Sequence, residues 1–254
     1  METATLHISD QQKQQYREEG YFVLEEVIPD QHLQILRDEC QYFIDLKNAE
    51  MDQEGKDVAG ITHRNSRYFI SNRHQERPRM REFIFSDLTA AICRATLGTD
   101  AFLFWEQYVV KGAEIGLPFS WHQDSGYLGY DHRPYMSCWC ALDDMSEENG
   151  TAYILPFSRA GTRARQQHTV DAATNDKVGY FGDDPGIPVL AAAGSIAVFS
   201  SVNFHRSGTN TSDKMRRVYL SQYAAAPIMN REGTQVQGFA EPFLKDGIRV
   251  DGEF

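Results

Sequence analysis

From residue 101 onward the chain changes from helical patterns to short apolar runs, and this change limits the possible folds more than any other feature. The runs are rich in β-branched and aromatic residues, and turn sequences such as Glu148-Asn149-Gly150 separate them. They are AFLFWEQYVVK (101–111), MSCWCALDD (136–144), TAYILPF (151–157), GSIAVFS (194–200) and RRVYLSQYAA (216–225). Short strands at such intervals predict a β-sandwich or barrel.

Helical patterns dominate the residues before this point. Ser9 or Asp10 can cap a first helix, and Pro29-Asp30 opens a longer one. Residues 81–98 predict a further helix. The apolar positions of the longer helix recur at helical spacing and predict one buried face, formed by Leu33, Leu36, Cys40, Phe43 and Ile44.

Two segments among the helices have a different character. Residues 21–28 predict a strand, and the polar, arginine-rich residues 51–80 predict a loop-like region. We therefore expect an α+β chain with a mainly β core. It would form a single domain over residues 1–254, with helices mainly in 9–98 packed on a β-barrel core mainly in 101–225.

Charge and composition exclude several classes of partner. The formal net charge of −11 argues against nucleic acid, because phosphate binding needs a basic surface. The polar residues 1–15 do not predict a secretory signal, and the longest apolar-rich segment, 187–199, is too short to span a bilayer. The four cysteines contain no Cys-x-x-Cys pair. We expect a reduced, cytoplasmic protein without a membrane or nucleic-acid partner.

The stretch SWHQDSGY (120–127) places His122 and Asp124 two residues apart in a segment with strand character. Side chains two apart on a strand project to the same face. An imidazole and a carboxylate suit Fe(II), Mn(II) or Zn(II), and one more histidine would complete a 2-His-1-carboxylate facial triad. A surface pair, or a hydrogen-bonded pair in the core, is the alternative for so short a pattern.

The candidate third ligand is His205, which follows an apolar run in a polar, turn-like segment. Ser207 lies two residues later and Arg216 begins the next strand. A guanidinium opposite a metal is what a dicarboxylate co-substrate requires, because it binds a carboxylate through two parallel hydrogen bonds. Arg217 is the rival of Arg216, since only one of two neighbours on a strand can face the barrel. His205 could instead be an ordinary core or surface histidine.

With these residues in view, the sequence resembles the phytanoyl-CoA dioxygenase-like members of the Fe(II)/2-oxoglutarate-dependent oxygenases. The resemblance runs from about residue 10 to 225. Its most specific parts are WHQD (121–124), CWCALDDMSEENGTAYILPFS (138–158) and FHRSGTN (204–210) with the arginine that follows. The chain departs from the family at Pro156-Phe157-Ser158-Arg159, where the family often has Pro-Gly-Ser-His.

The resemblance implies a fold and a set of site residues. The fold is a double-stranded β-helix, a jelly-roll or cupin-like barrel with the metal at its mouth. The implied Fe(II) ligands are His122, Asp124 and His205. The residues implied for 2-oxoglutarate are Arg216 at the distal carboxylate, Ser207 as a helper, Trp139 as a pocket aromatic, and Gln107 and Lys111 as weaker candidates. Cys138 and Cys140 would face away from Trp139 and pack beneath the helices.

The implied reaction uses O2 and 2-oxoglutarate to oxidise an unactivated C–H bond of a small-molecule substrate, with release of succinate and CO2. Because related halogenases have a small residue in place of Asp124, the carboxylate favours hydroxylation, with desaturation or ring closure left open. Two other readings remain: a catalytically silent barrel that binds a ligand or partner, and a cupin-type Zn or Mn hydrolase or isomerase. Arg216 favours the oxygenase, since neither rival needs it.

Candidate substrate contacts come from two polar segments. The first directly follows the ligand strand and could overhang the metal, and the second precedes the barrel. The candidates are Tyr127, Tyr130, His132 and Arg133 in the first segment and Arg64 and Arg67 in the second. A solvated loop and surface salt bridges are the alternatives. Nothing in the sequence selects a particular substrate or an oligomeric state.

Overall fold

Two antiparallel sheets form the core of the computed structural model, which describes residues 7–250. The strands are β1 (Tyr21–Leu24), β2 (Val58–Ala59), β3 (Thr62–His63), β4 (Arg67–Ser71), β5 (Ala101–Lys111), β6 (Phe119–His122), β7 (Met136–Ala141), β8 (Ala152–Leu155), β9 (Thr169–Val170), β10 (Lys177–Val178), β11 (Ile187–Pro188), β12 (Ile196–Ser200), β13 (Phe204–Ser207), β14 (Arg216–Ala224), β15 (Glu241–Lys245) and β16 (Ile248–Arg249). The helices are α1 (Asp10–Glu19), α2 (Asp30–Glu54), α3 (Arg79–Ile84), α4 (Asp87–Thr96), α5 (Ser125–Leu128) and α6 (Phe157–Ala160).

The strand order shows that the chain alternates between the two sheets. The large sheet has the order β1-β12-β7-β14-β5-β4-β3-β2, with β15 also paired to β5 and β16 to β15, and the small sheet has the order β11-β8-β13-β6. From β5 to β8, and again from β11 to β14, successive strands mostly belong to opposite sheets. Strands β9 and β10 pair only with each other. The inner faces of both sheets therefore share one space.

Strand β7 shows which face of the large sheet meets which layer. Trp139 belongs to a buried cluster with residues of the small sheet, such as Ile154. Cys138 and Cys140 belong to a second cluster, which contains the buried face of α2. This confirms the prediction that the two thiols lie beneath the helices, opposite to Trp139. The helices thus cover the outer face of the large sheet, and the small sheet covers its inner face.

The first two helices follow the sequence signals closely. Ser9 caps α1 in a capping box with Gln12, and Gly20 ends it in the left-handed region, with φ of 82°. The predicted apolar positions of α2 are all buried. Within the described residues, no helix combines the length and the apolar character that a membrane span requires.

Three predicted boundaries are wrong. Residues 81–98 form two helices, because the Ser86 hydroxyl accepts a hydrogen bond from the Thr89 amide and starts a new helix there. The arginine-rich region 51–80 is largely regular, since α2 extends to Glu54 and β4 pairs along its whole length with β5. The predicted strand 21–28 ends at Leu24. Burial on both sides of β4 was not visible in its mixed polar sequence.

The β core also extends beyond the predicted range of 101–225. Strand β1 pairs with β12 at one edge, and β15 and β16 form a hairpin on the other side. The hairpin turn is Asp246-Gly247, with φ of 50° and 80°. Asp-Gly between two strands is a strong hairpin signal, so the sequence contained the information for this extension.

Candidate metal centre

The two sheets enclose a cavity of about 540 Å³. Its wall combines inner-face residues of β5, β7 and β14 from the large sheet with residues of β6, β8 and β13 from the small sheet. The predicted site residues that line it are Arg67, Gln107, Lys111, His122, Asp124, Tyr127, Trp139, His205, Ser207 and Arg216. Most of the predicted site is therefore brought together in one space.

His122, Asp124 and His205 form a compact cluster of ligand atoms. The selected nitrogen and oxygen atoms of the three residues all lie within 4.8 Å of one another. Asp124 Oδ1 is 3.8 Å from His122 Nε2 and 3.5 Å from His205 Nε2. Strands β6 and β13 pair with His122 directly opposite His205, and the ring centroids are 4.1 Å apart.

The hydrogen bonds of both imidazoles fix their tautomers. His122 Nδ1 lies 2.7 Å from the Ser120 carbonyl oxygen, and His205 Nδ1 lies 3.2 Å from that of Asn203. A carbonyl only accepts, so each Nδ1 carries the proton and each Nε2 directs a lone pair towards Asp124. Burial, and then the proximity of His205, lowers the pKa of His122 well below its ordinary value. His122 is therefore neutral at pH 7, which is the form that binds metals.

Asp124 is oriented by two further side chains. Its Oδ2 accepts hydrogen bonds from Ser137 Oγ at 2.7 Å and Gln222 Nε2 at 2.8 Å, and Gln222 Nε2 also donates to Ser137 Oγ at 2.9 Å. These contacts leave Oδ1 facing the imidazoles. Ser137 and Gln222 are not among the predicted residues. Strand alternation could have found both, because Ser137 shares a face with Trp139 and Gln222 with Arg216.

The route by which Asp124 reaches His122 differs from the prediction. Strand β6 ends at His122, and Asp124 has helical dihedral angles (φ −56°, ψ −40°) immediately before α5. A turn, and not strand alternation, brings the two side chains together. Gln123 points away, and its Nε2 donates to the carbonyls of Ala164 and Val202. The turn-like segment predicted around His205 is likewise wrong, since His205 lies within β13.

This donor set fits a divalent first-row metal. Two neutral imidazole nitrogens and one carboxylate oxygen, all from a nearly buried cluster, are the ligands of the facial triad, which suits Fe(II) and leaves neighbouring coordination positions for other ligands. Phe119 and Tyr127 pack against the His122 ring, with centroid distances of 4.5 and 5.7 Å. They restrict both the rotation of that ring and the access of water.

Arg216 lies in the same cavity with much of its hydrogen-bonding capacity unused. The side chain is 1% exposed, and Nη2 donates to the Gly150 carbonyl at 2.9 Å. Nε and Nη1 are buried without a partner. Burial lowers the pKa of Arg216 to about 10, so the guanidinium is charged at neutral pH. Buried donors without a partner cost free energy, which makes the Arg216 guanidinium a candidate anion site.

Arg217 lies on the opposite face of β14. Its side chain and backbone amide bind the Asp143 carboxylate, with Nη2 at 2.6 Å and Nε at 3.0 Å. Strand alternation therefore directs Arg216, and not its neighbour, into the cavity. The Trp139 ring lies 5.8 Å from the Arg216 guanidinium carbon and forms an aromatic wall beside it.

Lys111 is a second buried basic side chain beside Arg216, to which it is paired in register between β5 and β14. Its Nζ donates to the Leu117 carbonyl at 2.8 Å and to the Gly208 carbonyl. Burial, with smaller effects of Arg216 and Arg67, lowers its pKa to about 5. Lys111 is therefore neutral at pH 7 in the ligand-free chain, and a nearby anion would favour its charged form.

The predicted substrate contacts divide into two groups. Tyr127 and Arg67 line the cavity. Tyr130, His132 and Arg133 instead line a separate surface depression with residues 224–231. Arg64 lies outside the cavity, and its guanidinium binds the exposed carboxylates of Asp52 and Asp57. The alternative of a surface salt bridge is therefore correct for Arg64.

Comparisons with known proteins agree with this geometry. The family model described as phytanoyl-CoA dioxygenase (PhyH) matches residues 16–218. Phytanoyl-CoA dioxygenase domain-containing protein 1 from Danio rerio is 23% identical, over 89% of this chain and 92% of that protein.

Two solved structures show the same fold. One is the non-heme alpha ketoglutarate dependent carbocyclase SnoK from nogalamycin biosynthesis, with a TM-score of 0.69, 20% identity, and coverage of 95% of this chain and 96% of that one. The other is EvdO2 from Micromonospora carbonacea var. aurantiaca complexed with 2-oxoglutarate, with a TM-score of 0.67, 21% identity, and coverage of 94% and 96%.

The contacts of Asp124 predict that Gln222→Leu weakens metal binding. Loss of the amide frees Asp124 to rotate, and loss of such a supporting contact typically lowers metal affinity about 10- to 100-fold. Equilibrium titration with Co(II) or Mn(II) measures the change. Gln107→Leu is the matched control, because it replaces an amide in the same cavity without touching the three ligands. Equal affinities for Gln222→Leu and the wild-type chain would show that Asp124 needs no such support.

Proposed function

Because the chain belongs to the phytanoyl-CoA dioxygenase family, we propose that it is a non-haem Fe(II)- and 2-oxoglutarate-dependent dioxygenase of a small-molecule substrate. The reaction would oxidise, in the simplest case hydroxylate, an unactivated C–H bond and release succinate and CO2. One observation carries the proposal: a facial set of metal ligands and a buried, partly unpaired guanidinium line the same cavity.

The strand order supports a double-stranded β-helix. The strands β12-β7-β14-β5 lie side by side in the large sheet, and β11-β8-β13-β6 make up the small sheet. The chain crosses repeatedly between these two sets, as it does in a jelly-roll barrel. The ligands lie on β6 and β13 and in the turn after β6, at one end of the small sheet.

The residues that would hold Fe(II) are His122, Asp124 and His205, through Nε2, Oδ1 and Nε2. When bound, the metal supplies the activation of O2 and the C–H oxidation, which protein side chains cannot provide. The chain contributes the ligand geometry through the Nδ1 hydrogen bonds and through Gln222 and Ser137. It also contributes a cavity wall that keeps bulk water away from the reacting atoms.

Arg216 would bind the distal carboxylate of 2-oxoglutarate through Nη2 together with either Nε or Nη1, the two nitrogens that lack a partner. A carboxylate accepts two parallel hydrogen bonds from one edge of a guanidinium, so it would satisfy one of these two donors. Lys111 would add a second donor, and the negative charge would raise its pKa towards the ordinary range. Trp139 lies beside the Arg216 guanidinium, and Ser207 lines the same cavity.

The two rival readings predict different chemistry. A Zn or Mn hydrolase or isomerase of the cupin kind, or a silent binding protein, has no use for an unpaired buried guanidinium. Release of labelled CO2 from 2-oxoglutarate separates the oxygenase from both. The single domain and the cytoplasmic location stay predictions of the sequence.

The ligand assignment predicts that His122→Ala and Asp124→Ala abolish succinate formation from 2-oxoglutarate, because two donors hold the metal too weakly for turnover. Succinate and CO2 are measured in the presence of Fe(II), O2 and ascorbate. Asp131→Ala is a suitable control, since this carboxylate is 96% exposed in a nearby loop. Full turnover in both ligand variants would rule out the metal centre.

The anchor assignment predicts that Arg216→Ala raises the dissociation constant of 2-oxoglutarate while Co(II) binding survives. Loss of one partner of a buried charge pair costs about 2–5 kcal/mol, which corresponds to roughly 30-fold or more in affinity. Anaerobic calorimetry with Fe(II) measures both steps. Arg217→Ala, on the outer face, should leave the co-substrate affinity unchanged, and the opposite ranking of the two variants would refute the anchor.

A further inference from the structure

The cavity has a chemical gradient along strands β5 and β14. Lys111 and Arg216 are paired at one end, and Trp105 and Gln222 are paired at the other. The separation of six residues between these two pairs along each strand corresponds to about 20 Å. The cationic anchor therefore lies at one end, and the support of Asp124 lies near the other end. A second molecule that reaches the metal must use the part of the cavity around Trp105.

This part, which we call the aromatic chamber, has two apolar walls. The first wall consists of Phe69, Phe119 and Tyr127, and the second consists of Phe104, Trp105, Tyr135 and Leu128. The first wall is continuous, with ring centroids 5.2 Å apart for Phe69 and Phe119 and 6.5 Å for Phe119 and Tyr127. In the second, the rings of Phe104 and Tyr135 are 4.6 Å apart. Such walls bind ring systems well.

The charged side chains of the cavity wall are already engaged elsewhere. Arg67 is 1% exposed, and its guanidinium donates to the carbonyls of Ile61 and Pro118 and to the Asp176 carboxylate. Arg206 points to the outer face of the small sheet, where its guanidinium carbon lies 3.8 Å from the Tyr153 ring centroid. Apart from these, the charged groups of the wall are the proposed metal ligand Asp124 and the proposed anchor Arg216.

The Arg67 guanidinium carbon lies 5.5 and 5.2 Å from the ring centroids of Phe69 and Phe119, but this cation is already paired with Asp176. An anionic substrate would therefore lose its hydration in the aromatic chamber without gaining an unpaired counter-charge. Burial of an unpaired carboxylate or phosphate is strongly unfavourable. A neutral molecule avoids this cost and gains apolar contacts with the two walls. The chamber would thus discriminate between substrates by their charge.

The polar groups that remain are carboxamides and the hydroxyls of Thr62, Ser71, Tyr127, Tyr135 and Ser207. Gln107 Oε1 accepts a hydrogen bond from Ser71 Oγ at 3.2 Å, which orients the Gln107 amide nitrogen as a donor towards the cavity. Gln237 adds a second carboxamide to the wall. Donors of this kind recognise a carbonyl or hydroxyl oxygen without requiring a charge.

From these observations we propose that the primary substrate is an uncharged, ring-containing small molecule with a carbonyl or hydroxyl oxygen, and not an acyl thioester of a polyanionic carrier. The proposal rests on the proposed oxygenase function, because it assigns the anchor end of the cavity to 2-oxoglutarate. Trp105 and its neighbours would contact the ring system, and Gln107 would hydrogen-bond the oxygen.

The test uses probes that share one ring system and nearly one shape. They are 2-acetylnaphthalene, which is neutral with a carbonyl, 2-naphthoate, which is its anionic counterpart, 2-ethylnaphthalene, which lacks the oxygen, and 2-naphthoyl-CoA. Anaerobic calorimetry on the full chain, with Fe(II) and saturating 2-oxoglutarate, measures their affinities. We expect 2-acetylnaphthalene to bind about tenfold or more tightly than 2-naphthoate and more tightly than 2-ethylnaphthalene, with no binding of the CoA ester.

Two variants test whether the order of probe affinities depends on the aromatic chamber. Trp105→Ala should weaken both neutral probes, whereas Phe181→Ala, at a 73% exposed position outside the cavity wall, should not. Gln107→Leu should remove the preference for 2-acetylnaphthalene over 2-ethylnaphthalene and leave the binding of the latter intact. The proposal would be overturned if 2-naphthoate or 2-naphthoyl-CoA bound as tightly as 2-acetylnaphthalene. It would also be overturned if neither neutral probe bound.

A failure of the substrate proposal can be distinguished from a failure of the oxygenase proposal. Co-substrate binding is titrated first in the absence of any probe. If 2-oxoglutarate does not bind, the probes are measured on Arg216→Ala, in which the anchor can no longer hold 2-naphthoate. The same preference for the neutral ketone in that variant would support the chamber even though the oxygenase proposal had failed.

Discussion

The pairing of β6 with β13 is the contact on which the candidate site depends. It places His122 directly opposite His205, and the turn after β6 returns Asp124 to the same point. Strand register is a discrete property, and a slip of one residue would turn the imidazole of the displaced strand to the opposite face. Each ring is fixed further by its Nδ1 contact to a backbone carbonyl two residues earlier. The ligand geometry therefore follows from the backbone of the small sheet.

The large sheet positions the remaining candidate site residues, because alternate side chains along each of its strands face the cavity. On β14, Arg216 and Gln222 share the inner face, so one strand supplies both the anion anchor and the support of Asp124. On β5, Lys111 and Trp105 lie opposite these two residues. Anchor, metal centre and aromatic chamber are thus spaced along two adjacent strands. This spacing would allow an oxygenase to bind its co-substrate at one end of the cavity and its substrate at the other.

The sequence predicted which residues line the candidate site better than it predicted the backbone conformation around them. The His-x-Asp pattern is common by itself, and it was the resemblance to a known family that singled it out together with Arg216, yet the predicted strand through Asp124 and the predicted turn at His205 are both wrong. Each error has the same cause: the partner that decides the local conformation is distant, as β13 is from β6. Arg64 and Arg67 looked equivalent in sequence and differ only because β4 pairs with β5. Tertiary pairing decided these cases, and local pattern could not.

The anchor has a consequence for the stability of the ligand-free chain. Lys111 pairs in register with both Arg67 and Arg216, which places three buried basic groups side by side, and Asp176 binds only the first. The pKa of Lys111 falls from 10.5 to about 5 on folding. Between these values the unfolded chain binds one more proton at Lys111, so this residue progressively destabilises the fold as the pH decreases from 10.5 to 5. A dicarboxylate bound at the proposed anchor would reverse the effect by stabilising the charged amine, and it would give Arg216 a partner. The same burial that weakens the ligand-free chain would then favour the binding of a dianion, a common compromise between stability and function.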